Sequence, residues 1–463
     1  MIDAFASASE IAGAVRSGSV SAIEITRARL ARIDAINPHI NAFTDVTAER
    51  ALSQAQRIDA RRAQGDALGP LAGVPFAVKN LFDIAGLPTR AGSRINRDRA
   101  AATRDAVLVE RLTAAGAVLI GGLNMGEFAY DFTGENVHDG HCRNPNDLSR
   151  MTGGSSSGSG AATAAGLAPI SLGSDTNGSI RVPSSLCGVF GLKPTYSRLP
   201  RTRSFPFCES FDHLGPFARD VSDLARAYDA MQGFDPDDPC CAPRASEPAS
   251  QRLDDGVKGL RIAVAGGHFD TAGLDEAAYA VGAAARALGA ADVVMLDGAA
   301  EARAAAFLIT NAESSAFHLG RLRARADDFD PDTRDRFLAG AMLPAAWYAQ
   351  AQRVRQWFHR KTLELFERVD LIVAPAVPCS APLIGQRTMM LRGDEVLVRP
   401  NLGIFTQPIS CIGLPVAAVP IGGRAMPIGV QLIAAPWRED LCLRAARHLE
   451  VQGVAAAAIP QLS

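Results

Sequence analysis

Lysine is almost absent from this sequence. Of 47 basic residues only four are lysines, Lys79, Lys193, Lys258 and Lys361. Arginine cannot act as a neutral base, whereas a desolvated lysine can, so any lysine in an apolar setting is a candidate for that role. Positive charge is not in excess either: 47 basic residues face 49 acidic ones, for a formal net charge of −2. No basic stripe is visible, so no nucleic-acid partner is expected. No run of 18 apolar residues exists, which excludes a helical membrane span on sequence grounds. The first residues, MIDAFASASEIAGAVRSGS, lack a basic stretch followed by an apolar one, so no signal peptide is expected. The eight histidines form no H-x-x-x-H pattern, and the eight cysteines are scattered without metal-type spacing. No metal and no cofactor is therefore expected. Scattered, unpaired cysteines fit reduced thiols and a cytoplasmic location. The strand at 260–265 leads into Gly266-Gly267, but G-x-G-x-x-G is missing, which removes a dinucleotide reading.

What is present is an alternation of helical and strand patterns. Helices are expected over 8–17, from a Ser21–Glu24 capping box to about Asn37, and over 46–64, 103–115, 161–167 and 221–232. Further helices are expected over 275–288, 299–325, 332–368 with a break near Pro344, and 439–451. Apolar runs ending at Lys79, and at 117–121, 260–265, 371–374, 415–421 and 428–434, read as strands, with a hairpin or flap at 389–398. Residues 125–150 read as loop with room for one short helix, 195–216 as irregular, and 235–254 as a loop and candidate boundary. The pattern predicts an α/β fold, a central mixed β-sheet covered by helices on both faces. One domain over 1–463 is expected, with a mainly helical region at about 270–368 on a catalytic core of about 60–235 and 370–450.

The chain is organised around Gly153 to Thr195. A loop Gly153-Gly154-Ser155-Ser156-Ser157-Gly158-Ser159-Gly160 precedes an Ala-rich helix, and a second loop, Gly173-Ser174-Asp175-Thr176-Asn177-Gly178-Ser179, precedes Ile180-Arg181-Val182. Glycine lets backbone N–H groups approach a ligand closely. The N–H groups of Thr176, Asn177, Gly178 and Ser179 could converge on one point, as a tetrahedral oxyanion requires. Ser179 would then be a nucleophile, though it needs a base and no histidine lies near it in sequence. Gly154 to Gly158 also matches G-x-S-x-G around Ser156, but the residues before it read as loop, not as the strand such an elbow needs. Asp175 and Arg181 flank the second loop and could pair across it, or Arg181 could be solvated. Lys79 ends a strand; from residue type alone, a solvent-exposed lysine is the stronger reading.

These stretches closely resemble the amidase signature family of Ser-Ser-Lys amide hydrolases. The likeness extends to Gly73-Val74-Pro75-Phe76-Ala77-Val78-Lys79-Asn80, Asn124 to Ala129, Asn144-Pro145, Leu148-Ser149-Arg150, Asp212 to Pro216 and Gly413-Leu414-Pro415, and so spans most of the chain. The resemblance implies the amidase signature fold and three catalytic residues: Lys79 as base, Ser179 as nucleophile, and Ser155, 24 residues earlier, as a bridging serine after a cis peptide bond at Gly154. It implies release of ammonia from a small linear amide through a Ser179 acyl-enzyme. Asn177 departs from the Gly usual there; it could narrow or polarise the site, or tolerate a left-handed backbone. Ser204 to Phe207, Phe211 to His213, Asn177 and Leu319 to Leu322 resemble most the branch acting on carboxylated urea derivatives such as 1-carboxybiuret. A carboxylate substrate calls for an arginine; Arg336 and Arg321 are candidates, and Tyr130 is a candidate lining residue. The same resemblance implies a homodimer and a small accessory subunit. Two other readings remain: the amidase component of a glutamine-dependent tRNA amidotransferase, and a non-catalytic binding protein that keeps the fold.

Overall fold

The computed structural model describes residues 3–461, so the expected domain limits at 1 and 463 lie outside it. Eleven strands form one mixed sheet. Their order is Phe43–Val46, Val118–Leu123, Pro75–Lys79, Ile170–Asp175, His213–Ala218, Phe190–Lys193, Val416–Ile421, Ile428–Ala434, Leu371–Pro375, Ile262–Gly266 and Asp292–Met295. Pro75–Lys79 runs parallel to both of its neighbours, whereas the middle of the sheet is antiparallel. From Pro75–Lys79 to Leu371–Pro375 every strand residue is buried. Successive side chains point to opposite faces, so burial at every position means both faces are covered.

Local chemistry sets the helices. Ser21 Oγ accepts from the Glu24 N–H at 3.1 Å and Glu24 Oε2 accepts from the Ser21 N–H at 2.8 Å, closing the capping box that starts Ala22–Ile40. That helix runs three residues past the expected end, through Pro38, and stops at Asn41 in the left-handed region (φ 51°). The helices Asp275–Leu288, Ala299–Arg325, Pro331–Ala341 and Ala345–Leu365 match the expected spans, with the break at Pro344.

Several expectations are corrected. The helix expected over 161–167 is Ser157–Ala164, so it begins inside the first Gly/Ser loop. Glycine is poor in helices by about 1 kcal/mol, but close packing requires it here: a Cβ on Gly158 would lie 2.4 Å from the Ala42 carbonyl oxygen and 2.6 Å from the Asn124 nitrogen. The second loop is shorter than expected, because Gly173, Ser174 and Asp175 belong to the strand Ile170–Asp175. Residues 125–150 include a hairpin, Arg143–Asn144 with Asp147–Met151, and the irregular 195–216 stretch ends in the strand His213–Ala218. Asp292–Met295 adds a strand within the region expected to be helical.

Candidate active site

The site lies at the C-terminal end of the strand Pro75–Lys79. Lys79 is fully buried, not exposed. Its Nζ lies 2.7 Å from Ser155 Oγ, 2.9 Å from Ser174 Oγ and 3.1 Å from Ser156 Oγ. Burial pushes the pKa of the Lys79 ammonium down to about 7, against the opposing pull of Asp212, Asp175 and Asp131. Ser174 comes from the neighbouring strand, and Ser155 and Ser156 from the turn before Ser157–Ala164. The Gly154–Ser155 peptide bond is cis. Gly154 has no room for a side chain, since a Cβ would sit 2.5 Å from Asp131 Oδ2.

Ser156 is preceded by the hairpin strand Asp147–Met151, not by a loop. Its hydroxyl is nevertheless fully buried and donates to the Ser174 carbonyl at 3.1 Å. Ser179 has the better setting for a nucleophile: a strand, Ile170–Asp175, a turn, and the helix Arg181–Cys187. The turn is closed by Asp175. Its Oδ2 accepts from the Ile180 N–H at 3.1 Å and Arg181 Nε at 2.9 Å, while Oδ1 accepts from Arg181 Nη2 at 2.9 Å. Both side chains are fully buried. Burial alone would raise the Asp175 carboxyl, but Arg181 outweighs it and holds the group well below the usual range. Arg181 also donates from Nη1 to the Thr406 carbonyl at 3.0 Å and to Gln431 Oε1 at 2.6 Å. So the loop is anchored to segments more than 220 residues downstream.

No hydrogen bond among the described residues uses the N–H of Asn177, Gly178 or Ser179. Gly178 has φ 141°, and a Cβ there would strike Thr406 Oγ1 at 2.1 Å, so glycine is required. Asn177 is not in the left-handed region, which removes that explanation of its presence. Its Nδ2 contacts Thr310 Oγ1 at 2.9 Å, and its Oδ1 is buried without a partner.

Ser179, Thr176 and Asn177 line a small cavity together with Tyr130, Asp131, Phe132, Phe207, Phe307, Thr310, Arg336 and Gln407. Tyr130 and Arg336 are therefore both brought to the nucleophile loop. Arg336 stacks over the Tyr130 ring at 3.5 Å and donates from Nη1 to the Tyr130 carbonyl at 2.8 Å. The structure does not bring Arg321 there; it stacks on Phe205 and Phe317 instead. Phe307, Thr310 and Gln407 had no sequence signal, because they are ordinary residue types on distant segments. Lys193 is buried too, but its Nζ lies 3.1 Å from the Pro194 carbonyl, apart from the serines. Among the described residues no cluster of His, Cys, Asp and Glu could hold a metal ion, and no helix is long and apolar enough to cross a membrane.

The model of the family described as Amidase matches residues 24–443. The chain belongs to the amidase family. Within it, the chain is 55% identical to AtzE of Pseudomonas sp. (strain ADP), a component of 1-carboxybiuret hydrolase, over 96% of this chain and 98% of that one. It is 38% identical to a glutamyl-tRNA(Gln) amidotransferase subunit from Chloroflexus aurantiacus, over 93% of each. A chain solved in work on a vestigial protein complex that reveals the evolutionary origins of an s-triazine catabolic enzyme superimposes with a TM-score of 0.97 at 53% identity, covering 98% of this chain and all of that one. The corresponding glutamyl-tRNA(Gln) amidotransferase subunit from Thermotoga maritima superimposes with a TM-score of 0.79 at 29% identity, over 97% and 96% of the two chains. This amidase is an enzyme acting on amide carbon–nitrogen bonds.

Proposed function

We propose that this amidase hydrolyses a small carboxylated urea derivative, such as 1-carboxybiuret, releasing ammonia through a Ser179 acyl-enzyme. The observation that carries the reading is the buried Lys79 amine, its pKa pushed down to about 7, against Ser155 Oγ at 2.7 Å. The higher identity to a component of 1-carboxybiuret hydrolase supports that substrate over glutamine. In this reading neutral Lys79 accepts the Ser155 proton while Ser155 accepts that of Ser179. The Ser179 Oγ bonds to the terminal amide carbon, and the carbonyl oxygen becomes an oxyanion held by the 176–179 N–H groups. The proton returns from Lys79 through Ser155 to the nitrogen; the C–N bond breaks and ammonia leaves. Water then attacks the acyl-enzyme by the same relay. Arg336 neutralises the substrate carboxylate beside Tyr130, and Gly154 with Gly178 keeps the backbone close to the reacting group.

All eight cysteines are free, which supports a cytoplasmic setting. We further propose assembly as a homodimer with a small accessory subunit; one relative is itself named as part of a larger hydrolase, and another was solved in a protein complex. Ammonia release should be measured from 1-carboxybiuret, biuret, allophanate, malonamate, simple aliphatic amides and glutamine, with Ser179→Ala as control. Preference for 1-carboxybiuret is expected. Preference for glutamine would favour the amidotransferase reading instead.

A further inference from the structure

Gln407 opens the short helix Gln407–Cys411 and lines the same cavity as Ser179. It is 5% exposed. Its Oε1 accepts from Arg303 Nε at 2.8 Å. Arginine only donates, so this contact fixes which end of the carboxamide is oxygen. The NH₂ must then point the other way, and Nε2 has no protein partner among the described residues. Nor is it among the fully buried polar atoms that lack one. Nε2 therefore keeps accessible surface, on a residue that lines the cavity.

Arg303 is itself immobilised. Its Nη2 donates to the Pro400 carbonyl at 3.0 Å and to Asn401 Oδ1 at 2.9 Å. The cation thus sits behind Gln407 and polarises its amide, which makes the outward N–H a stronger donor. Arg336 lines the same cavity; its Nη1 donates to the Tyr130 carbonyl, its guanidinium lies over the Tyr130 ring, and it has no ion pair among the described residues.

We propose that Gln407 donates a hydrogen bond to the carboxylate end of the substrate, together with Arg336, and that Arg303 is the positioning residue that aims it. The cavity then reads an anion with one direct cation and one neutral donor backed by a second cation. This selects a carboxylated amide over the same amide without the carboxylate. The inference rests on Ser179-centred amide hydrolysis.

The test is the ratio of kcat/KM for 1-carboxybiuret to that for biuret, which lacks the carboxylate. Gln407→Leu should lower the ratio ~10-fold or more through KM, as loss of a hydrogen bond to a charged group does. Gln407→Glu, nearly isosteric and able to pair with Arg303, should lower it further by repulsion. Arg303→Met should lower it similarly in the wild type, but less than ~2-fold on top of Gln407→Leu, because its effect passes through that residue. An unchanged ratio in both Gln407 variants, or equal losses on both amides, would overturn the proposal. A wild type that prefers another amide overturns the substrate named above, not Gln407. In that case the same ratio is taken between the preferred amide and its analogue without the distal carboxylate or carbonyl oxygen.

Discussion

Lys79 Nζ lies 2.7 Å from Ser155 Oγ, and neither it nor any other contact of the amine is an ion pair. Its three partners are all hydroxyls. A buried ammonium with only neutral partners is poorly stabilised, so the uncharged amine is favoured. The pH dependence follows. Below about 7 Lys79 is protonated and cannot accept from Ser155; above it the base is free. We expect kcat/KM to fall about tenfold per pH unit below that point and to level off above it. Lys79→Arg should be as inactive as Lys79→Ala, since guanidinium stays charged. Activity in the Arg variant would refute the base assignment.

Ser179→Ala should abolish ammonia release while thermal unfolding stays within a few degrees of wild type. Ser155→Ala should leave more residual activity, because Lys79 and the loop N–H groups remain. A Ser179→Ala protein that still turns over amide would remove the nucleophile from this loop.

The two arginine candidates separate cleanly. Arg336→Met should raise KM for a carboxylated amide by ~10-fold or more with little effect on a neutral one, as for a lost charge-assisted hydrogen bond. Arg321→Met, away from the cavity, should leave both unchanged. Steady-state kinetics on 1-carboxybiuret and biuret reads both variants.

Asn177 narrows the cavity by reaching Thr310. Asn177→Gly should widen it and raise relative turnover of bulkier amides such as glutamine. A competition assay with paired substrates checks this; an unchanged preference would assign Asn177 to loop packing alone.

Arg181→Met would strand the Asp175 carboxylate in the interior. Breaking a buried pair from one side costs about 3–5 kcal/mol. Urea denaturation should show that loss, with catalytic activity lost as well because the Ser179 turn is no longer closed.

Parts of this architecture were legible in the sequence and parts were not, for physical reasons. The long helices carried clear 3.6-residue patterns, and Ser21 with Glu24 announced its own cap. The strand His213–Ala218 did not read as one because Pro216 cannot donate to a ladder. Its register with Ile170–Asp175 nonetheless runs through Pro216, opposite Leu172, while pairing with Phe190–Lys193 covers only Phe217 and Ala218. Ile170–Asp175 was hidden by Gly173 and Ser174, small residues needed where Ser156 packs closely. Resemblance supplied the roles of Lys79, Ser155 and Ser179, and with them a buried Lys79 that residue type alone argued against. Thr310, Arg303 and Gln407 had no signal, since only the folded sheet brings positions 179 and 407 to one cavity.

The anchoring of Arg181 to Thr406 and Gln431 bears on when the enzyme becomes competent. A chain emerging from the ribosome has its lysine and both serines long before position 431 is made. Until then Arg181 can hold only Asp175, and the turn carrying Ser179 lacks its anchors on Thr406 and Gln431. A chain that stops before position 431 therefore carries the reactive residues without the contacts that fix the Ser179 turn to the rest of the sheet.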